Sequence, residues 1–166
     1  MPELVVGDRV VRFRGRVDRV DARADGGLVR LVDYKTGAGV TEAERLDQGR
    51  DVQLAVYVLA ALAAGEPAPA GVRAEYRMVR RAAGFKVLPL DADPGAVRDD
   101  LVATVAVAVA GMTAGLYPRW HDRRRCRFCD AAGRCGVDRL AFVAKRRDPR
   151  LRELLAFKES RGRRRS

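Results

Sequence analysis

Lysine is scarce in this chain, which contains four lysines against 29 arginines. Composition alone would therefore place arginine at most cationic positions, and each lysine invites an explanation. Only lysine offers a compact charge whose pKa can be lowered by burial, whereas the arginine guanidinium stays charged. Lys35 stands at the end of an aliphatic segment, and its identity is the first indication of chemistry in the sequence.

The first residues do not have the pattern of a secretory signal, and the sequence contains no long apolar run. Residues 1–11 have no extended apolar core of the secretory kind. The longest uncharged run, residues 101–117, falls just short of a membrane span and is rich in Ala, Thr and Gly, which predicts a buried helix. We therefore expect a cytoplasmic protein with no membrane partner, in which cysteines do not form structural disulfides.

Positive charge is confined to one part of the chain, whose 166 residues suffice for one domain, or one domain with an appendage. The net charge is +11, yet residues 1–116 contain 16 basic and 16 acidic residues. Residues 117–166 contain 17 basic and six acidic residues and carry the whole excess. This asymmetry predicts a polyanionic partner for the C-terminal third. A disordered basic tail is the alternative, which residues 161–165 favour.

The segment Val29–Gly37 has the pattern of a buried strand that ends abruptly at a Thr-Gly pair. Alternate residues of a strand share a face, so Asp33 and Lys35 are expected to point the same way. The carboxylate can hold a hard divalent cation, while the amine orients or deprotonates a nucleophile. An ordinary ion pair at the end of a strand is the alternative.

Residues 10–21 alternate between apolar and polar positions, and a turn signal follows at Asp25-Gly26-Gly27. This pattern predicts a β-hairpin over residues 9–35, in which Asp18 and Asp33 converge on one cation. Asp21, three residues after Asp18, lies on the opposite face of a regular strand and is left out of the site. Basic residues on the polar face would bring a phosphate backbone toward the cation. They are Arg12, Arg14 and Arg16.

A segment beginning near Asp51 is apolar on nearly all sides up to Ala64, which predicts a buried helix. Gln53 and Tyr57 lie four residues apart and therefore share a face of it. A buried amide and a buried phenol need partners, which a catalytic site or a nucleic-acid backbone would supply. A core glutamine beside a core tyrosine is the alternative.

The remaining pattern completes the predicted elements. Residues 72–80 and 85–90 predict two further strands, with Glu75 on the solvent side. Residues 94–116 predict a long helix that ends before Pro118.

Cys126, Cys129 and Cys135 lie within ten residues of each other in a chain with no other cysteine. Clustered thiolates indicate a metal or cluster site, and basic neighbours favour the thiolate form. Zinc and iron–sulfur sites usually take four protein ligands. His121 permits a Cys3His zinc site by count, although its spacing gives little support. Reduced buried cysteines and a chance Cys-x2-Cys pair are the alternatives. The basic neighbours expected to bind nucleic acid are Arg123, Arg124, Arg125 and Arg127.

Four motifs follow one another along the chain. They are Gly15-Arg-Val-Asp18-Arg-Val-Asp21, Asp33-Tyr-Lys35-Thr-Gly37, Gln53-Leu-Ala-Val-Tyr57 and Cys126-x2-Cys129-x5-Cys135. Together they resemble the RecB-like branch of the PD-(D/E)XK nuclease superfamily. The closest resemblance is to the iron–sulfur nuclease domains of AddB-type helicase–nucleases and of CRISPR-associated exonucleases, and it covers about residues 7–140.

The resemblance implies an α/β, restriction-endonuclease-like fold, with a mixed β-sheet flanked by helices and a C-terminal cysteine segment. We expect a nuclease core at residues 1–117, a basic cysteine segment at 118–150 and a basic tail at 151–166. In the family, an upstream segment carries an active-site His or Glu and the first cluster cysteine. The chain starts near the first strand, so we expect a shortened member or the C-terminal part of a longer nuclease.

The resemblance also implies divalent-metal-dependent cleavage of DNA. Asp18 and Asp33 would hold Mg²⁺ or Mn²⁺, helped by a backbone carbonyl near Tyr34. The three cysteines would bind a [4Fe–4S] cluster whose fourth ligand lies outside the chain, with zinc as the alternative. The catalytic set implied by the family is Asp18, Asp33, Lys35, Gln53 and Tyr57.

The leading hypothesis is therefore a deoxyribonuclease of DNA repair, recombination or the helicase–nuclease type. It would act on single strands or duplex ends, with a helicase or another repair subunit as partner. The alternatives are a catalytically silent DNA-binding module and a zinc-containing nucleic-acid-binding protein. The intact set of two aspartates and Lys35 argues against a silent module, which has no need of that lysine.

Overall fold

The computed structural model describes residues 2–37, 42, 46, 51–64, 69–90, 93–119, 126–135 and 143–163. The chain divides into two compact units. Residues 1–106 with residues 161–166 form the first unit, and residues 107–160 form the second. The predicted boundaries after residues 117 and 150 remain predictions.

A small antiparallel hairpin opens the first unit. Strands β1 (Glu3–Val6) and β2 (Arg9–Arg12) pair through a two-residue turn in which Gly7 has a φ of 61°. The predicted hairpin over residues 9–35 is wrong at its start, because residues 9–12 pair with the strand before them, whereas residues 19–22 pair antiparallel with residues 29–32 across the predicted turn at Asp25-Gly26-Gly27. Pairing across a two-residue turn closes a shorter loop than pairing with a distant strand, which makes it less costly in entropy.

The second sheet is mixed and has four strands, as the resemblance implied. Its order is β3-β4-β5-β6, with antiparallel, parallel and antiparallel pairings in turn. Between the parallel strands β4 and β5 the chain passes through helix α1, since parallel neighbours need a long crossover connection. The bounds of these elements are β3 Arg19–Ala22, β4 Leu28–Lys35, α1 Gln53–Ala64, β5 Gly71–Met78 and β6 Val87–Leu90.

The central strands are buried on both faces. Three consecutive residues of β4, Leu31 to Asp33, are buried, as are Ala74 to Tyr76 of β5. The prediction that Glu75 faces solvent is wrong for this reason, and the Glu75 carboxylate pairs with Arg77 at 2.7 Å. The core of α1 packs against this sheet, with Leu54 fully buried and the Asp51 carboxylate capping the helix through the Leu54 amide at 3.0 Å.

Helix α2 (Pro94–Thr113) follows β6 and has well-defined ends. Pro94 stands at its first position, and the Asp93 carboxylate accepts hydrogen bonds from the next two amides. The predicted helix over residues 94–116 ends three residues early. Gly115, with a φ of 64°, closes it in a Schellman motif, in which the Leu116 amide bonds to the Gly111 carbonyl at 2.8 Å.

The described part of the second unit, beyond the end of α2, contains short helical segments. They are α3 (Ala132–Cys135), a 3₁₀ turn at Pro149–Leu151 and α4 (Arg152–Arg163), whose last three residues are assigned to the first unit. Of the helices that the structure describes, none combines the length and hydropathy required of a membrane span.

Leu54 provides a direct test of the packing between α1 and the sheet. We expect Leu54→Ala to lower the free energy of unfolding by about 2–5 kcal/mol, because it leaves a cavity in a fully buried position. Leu62→Ala, in the same helix but half-buried, should cost clearly less. Urea denaturation of the two variants measures the difference, and equal losses would contradict this packing.

Candidate active site

Asp33 is a buried carboxylate on the central strand β4, with 4% of its surface exposed. Its Oδ1 accepts hydrogen bonds from Gln53 Nε2 at 2.7 Å and from the Tyr57 hydroxyl at 3.1 Å. Its Oδ2 lies 2.6 Å from Lys35 Nζ. The two groups form an ion pair, but the angles of the contact are not those of a hydrogen bond. Within the described part of the chain, Oδ2 is the one buried side-chain oxygen or nitrogen without a hydrogen bond. Lone pairs on Oδ2 therefore remain available.

Lys35 follows Asp33 on the same face of β4, as the strand pattern predicted. Its Nζ donates a hydrogen bond to Gln53 Oε1 at 2.7 Å and lies 4.7 Å above the centre of the Tyr76 ring. The side chain is 25% exposed. An ammonium group has three donors, of which one is used by Gln53, while the Asp33 carboxylate and the Tyr76 ring also face the group.

Gln53 connects the two charged groups. Its Oε1 accepts from Lys35 and lies 3.3 Å from the Tyr76 hydroxyl, while its Nε2 donates to Asp33 and, at 2.9 Å, to the Tyr57 hydroxyl. The partners fix the orientation of the amide, because a flip would turn the oxygen toward a carboxylate and the nitrogen toward an ammonium.

Tyr57 ties a distant segment to the site. Its hydroxyl approaches the Arg16 carbonyl at 2.8 Å, across 41 residues of sequence, and so holds the connection that leads into β3. Burial raises the pKa of the Tyr57 phenol, the Gln53 hydrogen bond opposes this, and the negative charges of Asp33 and Asp18 add to the increase. The phenol therefore stays protonated at neutral pH and acts as a donor.

Asp18 lies just before β3, where the antiparallel register brings it opposite Asp33. The last pair of the β3–β4 ladder is Arg19 with Val32. One step further in the same register, Asp18 lies opposite Asp33. The Asp18 Oδ2 accepts a hydrogen bond from the Tyr34 amide at 2.9 Å, which anchors the carboxylate at the end of β4. Asp18 is exposed, in contrast to Asp33.

Asp21, which the sequence analysis left out of the site, has different partners. It accepts hydrogen bonds from Arg19 at 2.8 Å and from Arg30 at 2.6 Å. These two arginines hold the pKa of the Asp21 carboxyl below its ordinary value. The register pairs Asp21 with Arg30, three positions along β3 from Asp18.

Two residues of the site, Tyr76 and Asp51, were not identified from the sequence. The Tyr76 hydroxyl donates to Asp51 Oδ2 at 2.6 Å and approaches Gln53 Oε1, so the buried Tyr76 contacts both the cap of α1 and the amide of Gln53. The alternation of β5 places Tyr76 in phase with buried Ala74 and Met78. Only the parallel register, which pairs Tyr76 with Asp33, brings it into the site.

The donor set fits a hard divalent cation with part of its water shell. Asp33 Oδ2 offers lone pairs, and Asp18, whose carboxylate accepts from the Tyr34 amide, would bring a second carboxylate. Mg²⁺ is commonly bound through one or two carboxylates while retaining several waters. No group of three His, Cys, Asp or Glu side chains able to hold a metal occurs among the described residues, so water or substrate would complete the ligand shell.

The arginines expected to bind nucleic acid do not form one row. Arg12 lies on β2 and pairs with Glu3 at 2.7 Å, which corrects its placement beside Asp18 on one long strand. Arg14 and Arg16 are exposed in the connection to β3, and Arg16 contributes its carbonyl to Tyr57. Arg127 is exposed in the second unit, 5.5 Å from the centre of the Phe128 ring. Outside the described residues lie Arg123, Arg124 and Arg125.

The cysteine segment belongs to the second unit. Cys126 and Cys135 are half-buried and Cys129 is exposed, and the three residues carry thiols rather than disulfides. The Cys129 amide donates to the Cys126 carbonyl at 3.4 Å. As described, the three thiols do not form a ligand group for a metal, and His121 lies outside the described residues. The iron–sulfur cluster therefore stays a prediction, and we derive no chemical step through it.

Comparison with curated proteins identifies two ATP-dependent helicase/deoxyribonuclease B subunits as relatives. The subunit from Lachnoclostridium phytofermentans is 44% identical over 57 residues, which cover 33% of this chain and 5% of the relative. The subunit from Symbiobacterium thermophilum is 39% identical over 74 residues, which cover 43% of this chain and 6% of the relative. The chain thus spans only about a twentieth of their length, and no solved structure is significantly similar to it.

A family comparison covers far more of the chain. The PD-(D/E)XK nuclease superfamily matches residues 2–136, which include both sheets, α1 and the three cysteines. The mixed sheet and the network around Asp33 and Lys35 lie inside this match. The chain belongs to the PD-(D/E)XK nuclease superfamily.

Proposed function

We propose that this chain is a divalent-metal-dependent nuclease domain that hydrolyses phosphodiester bonds of DNA. The observation that carries the proposal is the buried Asp33 carboxylate, whose Oδ2 lacks a hydrogen bond while Lys35 Nζ lies 2.6 Å away. The ion pair balances the charge of the carboxylate, and the lone pairs of Oδ2 stay available to a further ligand. Membership of the superfamily supports hydrolysis, and the printed names of the relatives support DNA as the substrate.

In this proposal Asp33 and Asp18 hold Mg²⁺ or Mn²⁺, with the Tyr34 carbonyl as a further ligand. The bound cation supplies Lewis acidity toward an oxygen of the scissile phosphate. The chain's own contribution is charge and position. Asp18, Asp33 and Asp51 bring three carboxylates to a network with one ammonium group, and this excess of negative charge favours a cation.

Lys35 serves the chemical step. Its ammonium group orients the attacking water and stabilises negative charge that develops on the phosphate, which is where fixed charge contributes most to catalysis. The hydrogen bond to Gln53 and the Tyr76 ring limit its movement. Arginine could not replace it, because the planar guanidinium is larger and stays fully charged.

Gln53, Tyr57 and Tyr76 position the reacting groups. Gln53 keeps Asp33 and Lys35 at a fixed separation, and Tyr57 holds the segment that carries Asp18 through the Arg16 carbonyl. Such support matters because small displacements of catalytic groups lower rates strongly.

The biological setting is also part of the proposal. The relatives' names motivate a role in DNA repair or recombination, with a helicase or another repair subunit as partner, and the chain matches only a short part of them. A cytoplasmic location fits this role. We further propose that the cysteine segment binds a [4Fe–4S] cluster, or zinc, with a ligand from outside the described residues.

We expect Asp33→Asn and Asp18→Asn to raise the Mg²⁺ concentration for half-maximal cleavage by about tenfold or more, or to abolish cleavage, since even the loss of a supporting partner of a ligand has such an effect. Asp21→Asn is the matched control, because Asp21 lies three residues from Asp18, on β3, but binds Arg19 and Arg30. Metal titrations of cleavage measure the effect. An unchanged titration for Asp33→Asn would disprove the two-carboxylate site.

We expect Lys35→Ala to lower single-turnover cleavage at least about 100-fold, the loss typical of removing a group that stabilises developing charge. Lys35→Arg should be nearly as inactive, although it retains the charge beside Asp33. Binding of DNA without metal should stay within a few-fold of the parent. Cleavage by Lys35→Ala above a tenth of the parent rate would exclude Lys35 from the mechanism. Strong metal-free binding by a parent protein that cleaves nothing would favour the silent module.

We expect anaerobic preparations to contain iron bound through Cys126, Cys129 and Cys135, and to lose it in air because one ligand lies elsewhere. Iron analysis and absorbance in the thiolate-to-iron charge-transfer region measure this. Cys129→Ser should lower the iron content without removing metal-dependent cleavage entirely. A colourless protein with stoichiometric zinc that depends on His121 would instead support the zinc-containing module.

A further inference from the structure

The turn between β5 and β6 carries a net positive charge. Residues 79–86, which we call the basic turn, contain Arg80, Arg81 and Lys86 and no acidic residue. All three cationic side chains are exposed. The first 116 residues are neutral as a whole, so this local excess of positive charge is a feature of the turn and not of the unit.

An aromatic side chain stands at the tip of the basic turn in a rare backbone conformation. Phe85 has a φ of 51°, in the left-handed region that bulky residues seldom adopt, and it follows Gly84 with a φ of 64°. Its ring is 63% exposed, so packing in the core does not explain the residue. Strain of this kind persists where surrounding structure imposes it, and an observed outlier motivates a search for function.

Hydrogen bonds attach the basic turn to the strand that carries Lys35. The Val79 amide donates to the Lys35 carbonyl at 3.0 Å, and the Arg80 guanidinium donates to the Thr36 carbonyl at 3.4 Å. The Met78 amide donates to the Lys86 carbonyl at 2.9 Å and closes the turn. The turn is therefore fixed directly beyond Lys35, at the carboxyl ends of the parallel strands β4 and β5.

We propose that the basic turn binds the single-stranded part of the DNA substrate beside the scissile phosphate. Phe85 stacks on an unpaired base, and Arg80, Arg81 and Lys86 contact the flanking phosphates. This inference rests on the proposed nuclease function and adds the substrate class to it. Cationic side chains alone would bind the backbone of any nucleic acid. An aromatic side chain beside them stacks only on a base whose face is not already covered by a neighbouring base.

The geometry favours single strands over the interior of a duplex. Bases inside a duplex are stacked on both sides and cannot receive the Phe85 ring without being unstacked. A single strand, or the frayed end of a duplex, presents an open base next to its phosphate. The turn begins at the Val79 amide, which is bonded to the Lys35 carbonyl, so a strand bound along it would lead toward the strand that carries Asp33 and Lys35.

The first test measures binding of a fluorescent oligo-dT to the 166-residue chain without divalent metal, in the presence of EDTA. We expect Phe85→Asn to weaken binding about tenfold, within the range reported for loss of one base–aromatic stack. Asparagine tolerates a positive φ, so the fold is retained, which thermal unfolding checks. Phe85→Trp should bind within about twofold of the parent, since it retains a stacking surface.

An abasic oligonucleotide of equal length separates stacking from backbone contact. Phe85→Asn should leave its affinity unchanged, whereas the double variant Arg81→Ala with Lys86→Ala should weaken both oligonucleotides and reduce the salt dependence of binding. Arg73→Ala, an exposed arginine on the opposite face of β5, is the matched control and should have little effect.

Two results would overturn the proposal. Unchanged affinity of Phe85→Asn for oligo-dT would exclude stacking, and an equal loss toward the abasic strand would show that Phe85 only shapes the turn. Because these measurements need no cleavage, they also separate this inference from the proposed function. If the parent chain cleaves DNA with metal and both variants bind oligo-dT as the parent does, the basic-turn proposal alone is wrong. If the parent chain does not cleave DNA but the variants show the predicted binding changes, the nuclease mechanism alone is wrong.

Discussion

The Gln53 amide, held between Asp33 and Lys35, is the interaction on which the site depends. A carboxylate on a central strand is costly to bury unless polar groups compensate for its lost hydration. Gln53 and Tyr57 supply two hydrogen bonds to one of its oxygens, and the Lys35 ammonium compensates the other through charge. The polarity of the amide matches its surroundings on both sides. Glutamate at this position would face a carboxylate with an oxygen and lose that match.

Local periodicity accounts for the part of the site that the sequence predicts. The two-residue repeat of a strand places Asp33 and Lys35 on one face, and the four-residue spacing on a helix places Gln53 above Tyr57. The structure brings these four residues together, with α1 crossing from β4 to β5. The expected mixed sheet is confirmed, and the helix between β4 and β5 supplies the long connection that their parallel pairing needs.

Non-local pairing accounts for what the sequence did not predict. Residues 9–12 joined an earlier strand, because the short turn at Gly7 offers a nearer partner than β4 does. Tyr76 reaches the site only through the register of β5 against β4, which no single strand encodes. The burial of Glu75 follows from the central place of β5 in the sheet, whereas strand alternation alone assigned it to solvent.

The contacts that form the site also determine when it can exist during folding. They join residues 16, 18, 20, 24 and 41 positions apart, and the Tyr76 contact requires β5 to pair in parallel with β4. Pairings of this range form slowly, because the chain must close long loops before any contact stabilises them. A nascent chain that ends before β5 therefore has the two aspartates and the lysine but no assembled centre. Synthesis through residue 78 is therefore the earliest point at which the network of Asp33, Lys35, Gln53 and Tyr76 is complete, so the candidate site forms with the sheet and not with the motif alone.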